Sequence, residues 1–302
     1  MTLLKPLLYF SLFKYPLTLE EVFAFSDVAN NEDIEKQLDK LVEEEVIYKI
    51  DGFYLCENDP SLVTRRLKGN KMAEEIQEKA ASVSKFISKF PYVEGVGISG
   101  SLSKGYYDDD GDIDFFIITR HKRLWIARTL LILYKKLFLL NNKKYFCVNY
   151  FISEKSLEIG EKNRFTATEL ATLIPMFGNG SFHQFYDENK WANTFLPNRE
   201  MNKGLKTLLP VKKPLLSKII EGVLNTRLGT WVDALFLRIT YKKWKVKFNH
   251  LDSQQFDVAL KSSKNVSKHH PLNFQNKVIV RLNEKYMEYE VNHNITLPLE
   301  HA

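Results

Sequence analysis

Two aspartates flank a single isoleucine in Asp112-Ile113-Asp114-Phe115-Phe116-Ile117-Ile118. Residues two apart in a strand share a face. Both carboxylates then point one way, while Ile113 and Phe115 point into a core. Carboxylates that close repel each other unless a cation sits between them. Magnesium takes hard oxygen ligands and leaves room in its shell for phosphate oxygens. Asp112 and Asp114 are therefore candidate ligands for Mg2+ or Mn2+. Taken alone, the pair also fits a solvated strand start, where aspartates cost little.

A second segment, Gly97-Ile98-Ser99-Gly100-Ser101-Leu102-Ser103-Lys104-Gly105, is small and hydroxylated and follows a β-rich run. Such a turn lets backbone amides approach an anion, and a helix starting there adds its positive end. Gly100, Ser101, Ser103 and Lys104 are the candidate phosphate-binding residues. Ser101 can donate its hydroxyl to a phosphate oxygen, and Lys104 can add charge. Gly/Ser turns after strands are common, so this segment too is weak by itself.

The combination is more specific. A phosphate-holding turn roughly ten residues before a metal-holding carboxylate pair is what phosphoryl transfer needs. Gly-Ser followed by Asp-hydrophobic-Asp-hydrophobic, with Gly105 closing the turn, resembles the polymerase-β-type nucleotidyltransferase superfamily. The motif covers residues 93–119, with a looser match to about residue 155. The resemblance implies that Ser101 contacts a nucleoside triphosphate. It also implies that Asp112 and Asp114 hold magnesium and that a nucleoside monophosphate passes to an acceptor hydroxyl. A third carboxylate on the strand after the next helix normally completes such a set. Here that strand reads Phe146-Cys147-Val148-Asn149-Tyr150-Phe151-Ile152, and Asn149 occupies the position. An amide can ligate through oxygen but takes no proton at neutral pH. Glu154 and Glu169 are the candidate substitutes. Residues from Arg164 to Leu170, with Asn189-Lys190-Trp191 and Leu196-Pro197-Asn198, are similar to a poorly characterised bacterial group that joins such a core to a helical tail. In that group Asn also stands at the third position.

The elements that must position these residues read as an α/β (α+β) chain in three parts. Residues 1–60 read as a winged helix. Leu3 to Phe13 is a helical run, Thr18 to Glu21 fits a capping box, and Asn30 or Asn31 can cap a third helix. Asp51-Gly52 between apolar runs predicts a hairpin. Residues 61–160 read as the nucleotidyltransferase mixed-sheet core: one long helix or a broken pair from Ser61 to Phe90, strands Val93–Ile98 and Asp112–Thr119, helix Arg123–Leu140 and strand Tyr145–Ser153. Residues 161–302 read as a mostly helical domain, with helices over Thr166–Leu173, Ser181–Thr194, Leu216–Phe248 and Phe274–Tyr289.

Composition bounds the function. Of 302 residues, 44% are hydrophobic and 13% aromatic, enough for a core. A net charge of +6 permits an anionic partner without requiring one. Cys56 and Cys147 form neither a metal-ligand spacing nor a disulfide framework, and no secretory signal opens the sequence, so a cytoplasmic home is expected. Leu124 to Leu140 is broken by Arg128, Lys135 and Lys136, which argues against a membrane span. The third helix of the winged helix carries Glu32, Asp33, Glu35, Asp39, Glu43, Glu44 and Glu45 against Lys36 and Lys40. That charge opposes DNA binding and favours protein contact or packing. Tyr241 to Phe248 interleaves bases with aromatics, read as a solvated face before an RNA contact. Lys264, Lys268, His269 and His270 read as a loop that would serve the acceptor or triphosphate only if it folds over the cleft. Two functions follow: a magnesium-dependent nucleotidyltransferase using an NTP and an unidentified acceptor, or a catalytically degenerate nucleotide-binding and protein-interaction module.

Overall fold

A computed structural model describes residues 3–28, 34–142, 144–201, 205, 208, 210 and 212–301. Three helices open it, α1 (Leu4–Ser11), α2 (Leu19–Phe25) and α3 (Ile34–Glu43), followed by an antiparallel hairpin of β1 (Tyr48–Ile50) and β2 (Phe53–Leu55). Both arms of the capping box form at α2: Glu21 N–H donates to Thr18 Oγ1 at 3.3 Å, and Thr18 N–H donates to Glu21 Oε2 at 2.9 Å. Asp51 and Gly52 both have positive φ, 49° and 80°, as a tight two-residue hairpin turn requires. The expected caps Asn30 and Asn31, and the acids Glu32 and Asp33, lie outside the described residues.

The long helix α4 (Pro60–Ile87) is continuous and starts on an Asp59 cap with proline in its first turn. Arg66, buried on α4, pairs with both oxygens of Glu21 at 2.6 and 2.8 Å and also donates to Pro16 O. A capping residue of α2 is thus also the anchor that ties the N-terminal module to α4. Farther along, a Cβ at Gly69 would lie 2.1 Å from the Tyr106 ring, so only glycine lets α4 meet the segment after β3 this closely.

Beyond α4 come β3 (Val93–Ser99), β4 (Asp114–Thr119), α5 (Leu124–Phe138), β5 (Cys147–Ser153), α6 (Arg164–Thr172), β6 (Ile174–Phe177), α7 (Asn179–Glu188), α8 (Leu215–Leu224), α9 (Arg227–Lys247), α10 (Ser253–Ala259), β7 (Val266–Lys268) and α11 (Phe274–His293). The five strands β3 to β7 form one mixed sheet of order β6-β3-β4-β5-β7, in which only β4 and β5 run parallel. Helix α5 makes the crossover that a parallel pair needs. The unbroken apolar run of β4 reflects burial on both faces. Phe115 and Ile117 join a core with α4 and α5, whereas Phe116 and Ile118 join one with α1, α6, α7 and α11.

Three differences from the sequence reading matter. The segment after residue 161 supplies both edge strands of the sheet, β6 and β7, which are too short to show a period of their own. The helix expected over Leu216–Phe248 is split by Asn225 and Thr226 into α8 and α9. Strand β4 begins at Asp114, two residues later than expected. Among the described residues no helix is long and apolar enough to cross a membrane.

Candidate metal and phosphate site

One end of the sheet gathers Ser99 on β3, Asp114 on β4 and Cys147 on β5, which are register partners across the two ladders. Asp112 sits just outside β4, but the chain there is still extended. Ile113 N–H donates to Lys144 O at 2.8 Å, and Ile113 O accepts from Cys147 N–H at 3.1 Å. Ile113 and Phe115 are fully buried, while Asp112 and Asp114 keep partial exposure. The alternation expected of the two aspartates therefore holds across the strand boundary.

The Gly-Ser turn is built to admit the Asp114 carboxylate. Gly100 has φ of +71°, and a Cβ there would stand 2.5 Å from Asp114 Oδ2. Two constraints, the left-handed backbone and this close approach, both demand glycine. A single 3-10 turn, Leu102–Lys104, follows. Ser101 is exposed beside it. Ser103 is buried and donates its hydroxyl to Gly100 O at 2.9 Å, so it stabilises the turn. Lys104 Nζ donates to Gly100 O at 3.0 Å and pairs with Glu169 Oε1 on α6 at 2.7 Å.

Asn149 reaches Asp114. Its Nδ2 donates to Asp114 Oδ1 at 2.8 Å and lies 3.7 Å from Cys147 Sγ. The β4–β5 register slips between Phe115/Val148 and Phe116/Tyr150, which leaves Asn149 as the extra residue. Such a bulge re-aims a side chain. The Asn149 carbonyl faces the other way and accepts from His269 N–H, just past β7, at 2.9 Å.

Electrostatics single out Asp114. Burial raises its carboxyl to about 6, with Asp112 and Glu169 adding to the rise and the Cys147 and Asn149 hydrogen bonds opposing it. Burial and the Asp114 charge also push the Cys147 thiol upward, so it behaves as a hydrogen-bond donor and not as a nucleophile. Of the two substitute carboxylates, Glu169 comes to the site and Glu154 does not. Glu154 lies past the opposite end of β5, where Oε1 accepts from His121 N–H at 3.2 Å. The Cys147 contact follows from the i, i+2 rule on β5 and was open to sequence reasoning. The approach of Glu169 was not, because it depends on how α6 packs.

Among the described residues no three His, Cys, Asp or Glu side chains are grouped to hold a metal ion. A magnesium ion that shares its shell with water and substrate phosphates needs only one or two carboxylates. The desolvated Asp114 beside Asp112 fits that requirement, since a cation there would offset both the burial and the like charges that raise Asp114. Compared with known proteins, the chain matches no family model, no curated protein and no solved structure.

Proposed function

We propose that this protein is a magnesium-dependent nucleotidyltransferase, with a nucleotidyltransferase-type core behind an N-terminal winged helix. The observation that carries the reading is the fit of Asp114 against Gly100, which joins a carboxylate pair to a Gly-Ser turn at one end of a mixed sheet. Ser101, exposed on that turn, would donate to the triphosphate. Asp112 and Asp114 would hold a divalent cation, Mg2+ or Mn2+, which supplies charge neutralisation for the phosphates when bound. Lys104, bonded to Gly100 O and paired with Glu169, would add positive charge beside the phosphates. The acceptor oxygen bonds to the α-phosphorus as the bond to the β-phosphate oxygen breaks, and pyrophosphate leaves. Asn149 cannot take the acceptor proton, which is left to Glu169 or to water.

Asn149 also favours a second reading, a nucleotide-binding and interaction module with degenerate catalysis. Its amide nitrogen already satisfies Asp114, where a third carboxylate would have joined the metal shell. The acidic face of α3, where Lys49 of the hairpin already pairs with Asp39 and Glu35 at 3.1 and 3.5 Å, would then meet a protein partner. Incubation with labelled NTPs and magnesium separates the two. Transfer of label to an acceptor by wild type and not by Asp112→Asn/Asp114→Asn supports the enzyme. Binding without transfer supports the module, and no NTP binding at all refutes both.

A further inference from the structure

A cluster of basic side chains, without carboxylate partners among the described residues, lies on the α5 side of β5 and β7, where His269 N–H meets Asn149 O. Arg128 of α5 is buried, with its guanidinium carbon 5.4 Å from the Trp125 ring and 4.8 Å from the Trp244 ring. His269 lies against the same floor, its ring 4.8 Å from Trp244 and 5.8 Å from Phe248. Lys247 Nζ sits 5.2 Å from the Phe248 ring. Three basic groups thus share one aromatic surface, and the backbone of His269 is fixed to Asn149.

Among the described residues no acid pairs with Arg128, Lys247 or His269. Among the described residues Arg128 makes no ion pair. Its charge is disfavoured by burial alone, which lowers it to about 10. Two other buried arginines are matched, Arg66 by Glu21 at 2.6 Å and Arg164 by Glu300 at 2.6 Å, and a third, Arg123, donates to Lys122 O, Thr226 O and Thr230 Oγ1, whereas Arg128 is held between two indole rings. Burial lowers His269 to about 4, with the facing charges of Arg128, Lys247 and Lys135 adding to the fall. His270 is lowered to about 4 by burial, Lys268 and His269. The influence of Lys135 also extends to Cys147, beside Asp114. A buried arginine without an acid is costly unless an anion completes it. Its planar fork suits phosphate, and the aromatic floor holds it in place.

We infer that Arg128, Lys247 and His269, on the Trp244–Phe248 floor, form an anion subsite that takes a phosphate group of the acceptor. The inference rests on the transferase reading above and extends it to the acceptor's chemistry. Access comes from the rim, where Lys247 is exposed and His269 is half-buried. Exposed Lys242, Lys243 and Lys245 continue the positive surface along α9. Recognition falls on phosphate and not on bases, because Trp244 and Phe248 are already buried against the protein. The acceptor is therefore a phosphomonoester or a phosphodiester strand, and the link from its subsite to the strand that carries Asn149 is the His269 N–H bond to Asn149 O.

Titration of the full chain with inorganic phosphate without magnesium, followed by phosphorus NMR, tests the subsite. Wild type should bind, Lys247→Glu and Arg128→Met should each weaken binding about ten-fold, and Asp112→Asn/Asp114→Asn should keep it. Lys247 is exposed, so its variant reads charge without risk to folding, and circular dichroism checks Arg128→Met. No binding by wild type, or wild-type binding by Lys247→Glu and by folded Arg128→Met, overturns the subsite. Competition then separates the sources. Displacement of phosphate by a sugar phosphate or by a 5′-phosphorylated oligonucleotide identifies which class the site accepts, and displacement by neither overturns the acceptor role. NTP binding in magnesium reads the carboxylate pair, so each inference fails on its own measurement.

Discussion

The two ends of the central sheet carry similar numbers of acids and treat them oppositely. At the end holding Tyr92, Thr119 and Ser153, Glu94, Glu221 and Glu154 each lie beside a cation or an N–H. Arg120 pairs with Glu94 at 2.7 Å and Glu221 at 3.3 Å, Lys213 approaches Glu221 at 3.9 Å, and Glu154 accepts from His121 N–H. Lys213 also caps the carbonyls of Ser88, Phe90 and Val93. At the end holding Ser99, Asp114 and Cys147, Asp112 and Glu169 act on Asp114 as like charges, and its aids are the hydrogen bonds from Cys147 and Asn149. Acids in the first group stand in ion pairs that join β3, β4 and α8, although burial still raises the Glu94 carboxyl. In the second, Glu169 is paired with Lys104, and Asp114 is buried beside like charges that a bound cation would offset. The contrast locates the candidate site more firmly than either aspartate does alone.

The largest test of that difference is Asp112→Asn/Asp114→Asn, which should weaken magnesium-dependent NTP binding by on the order of 100-fold while leaving the fold intact by circular dichroism. Retained affinity would erase the distinction between the ends. Next is pH. Asp114 is raised from 3.8 to about 6 in the folded chain, so protons compete with the cation. Binding should fall by up to about ten-fold per unit below pH 6. Metal-free stability runs the other way. A carboxyl with a raised folded value contributes stability that is complete below about pH 4 and is lost as pH rises through 6. The loss is roughly 2–3 kcal/mol, read as the difference between melts of wild type and Asp114→Asn. A difference that does not change with pH would show that Asp114 is not strained.

Gly100→Ala should displace Asp114 and weaken NTP binding about ten-fold, with about 1–2 kcal/mol of lost stability, because the added carbon meets both the left-handed backbone and Asp114 Oδ2. Arg120→Ala, at the neutralised end, should cost about 1–2 kcal/mol in chemical denaturation and leave NTP affinity unchanged. An effect on NTP affinity equal to that of Gly100→Ala would join the two ends into one network.

Much of this arrangement was legible in the chain. Alternation around Ile113 and the glycine of the Gly-Ser turn are local signals, and so are the capping box at Thr18 and the Asp51-Gly52 hairpin. Each depends on neighbours a few residues away, where backbone geometry is dictated by residue type. What the sequence could not show is tertiary. Strands β6 and β7 carry only four and three residues, and they become strands because the edges of β3 and β5 offer unpaired backbone groups. The bulge at Asn149 arises from register between distant strands. Ser103 looked like a phosphate donor by composition, yet its hydroxyl closes the turn on Gly100. The basic residues before Pro271 gained meaning only when β7 set His269 beside Asn149.

Glu154 and Glu169 give the smallest and most discriminating comparison. By sequence they were equal substitutes for the missing third carboxylate. They stand at opposite ends of the sheet, one holding the His121 amide, the other holding Lys104 and raising Asp114. Glu169→Gln removes a like charge from the surroundings of Asp114 and releases Lys104 toward the turn. The pH midpoint of magnesium-dependent NTP binding should therefore move downward, while affinity near pH 8 changes by about two-fold at most. Any acceptor transfer should fall with it if Glu169 takes the acceptor proton. Glu154→Gln keeps an oxygen for the His121 amide and should leave both the midpoint and the affinity where they are. Equal shifts from the two variants would mean that Asp114 responds to net charge and not to its neighbours. The end of the sheet would then have no special claim as a site.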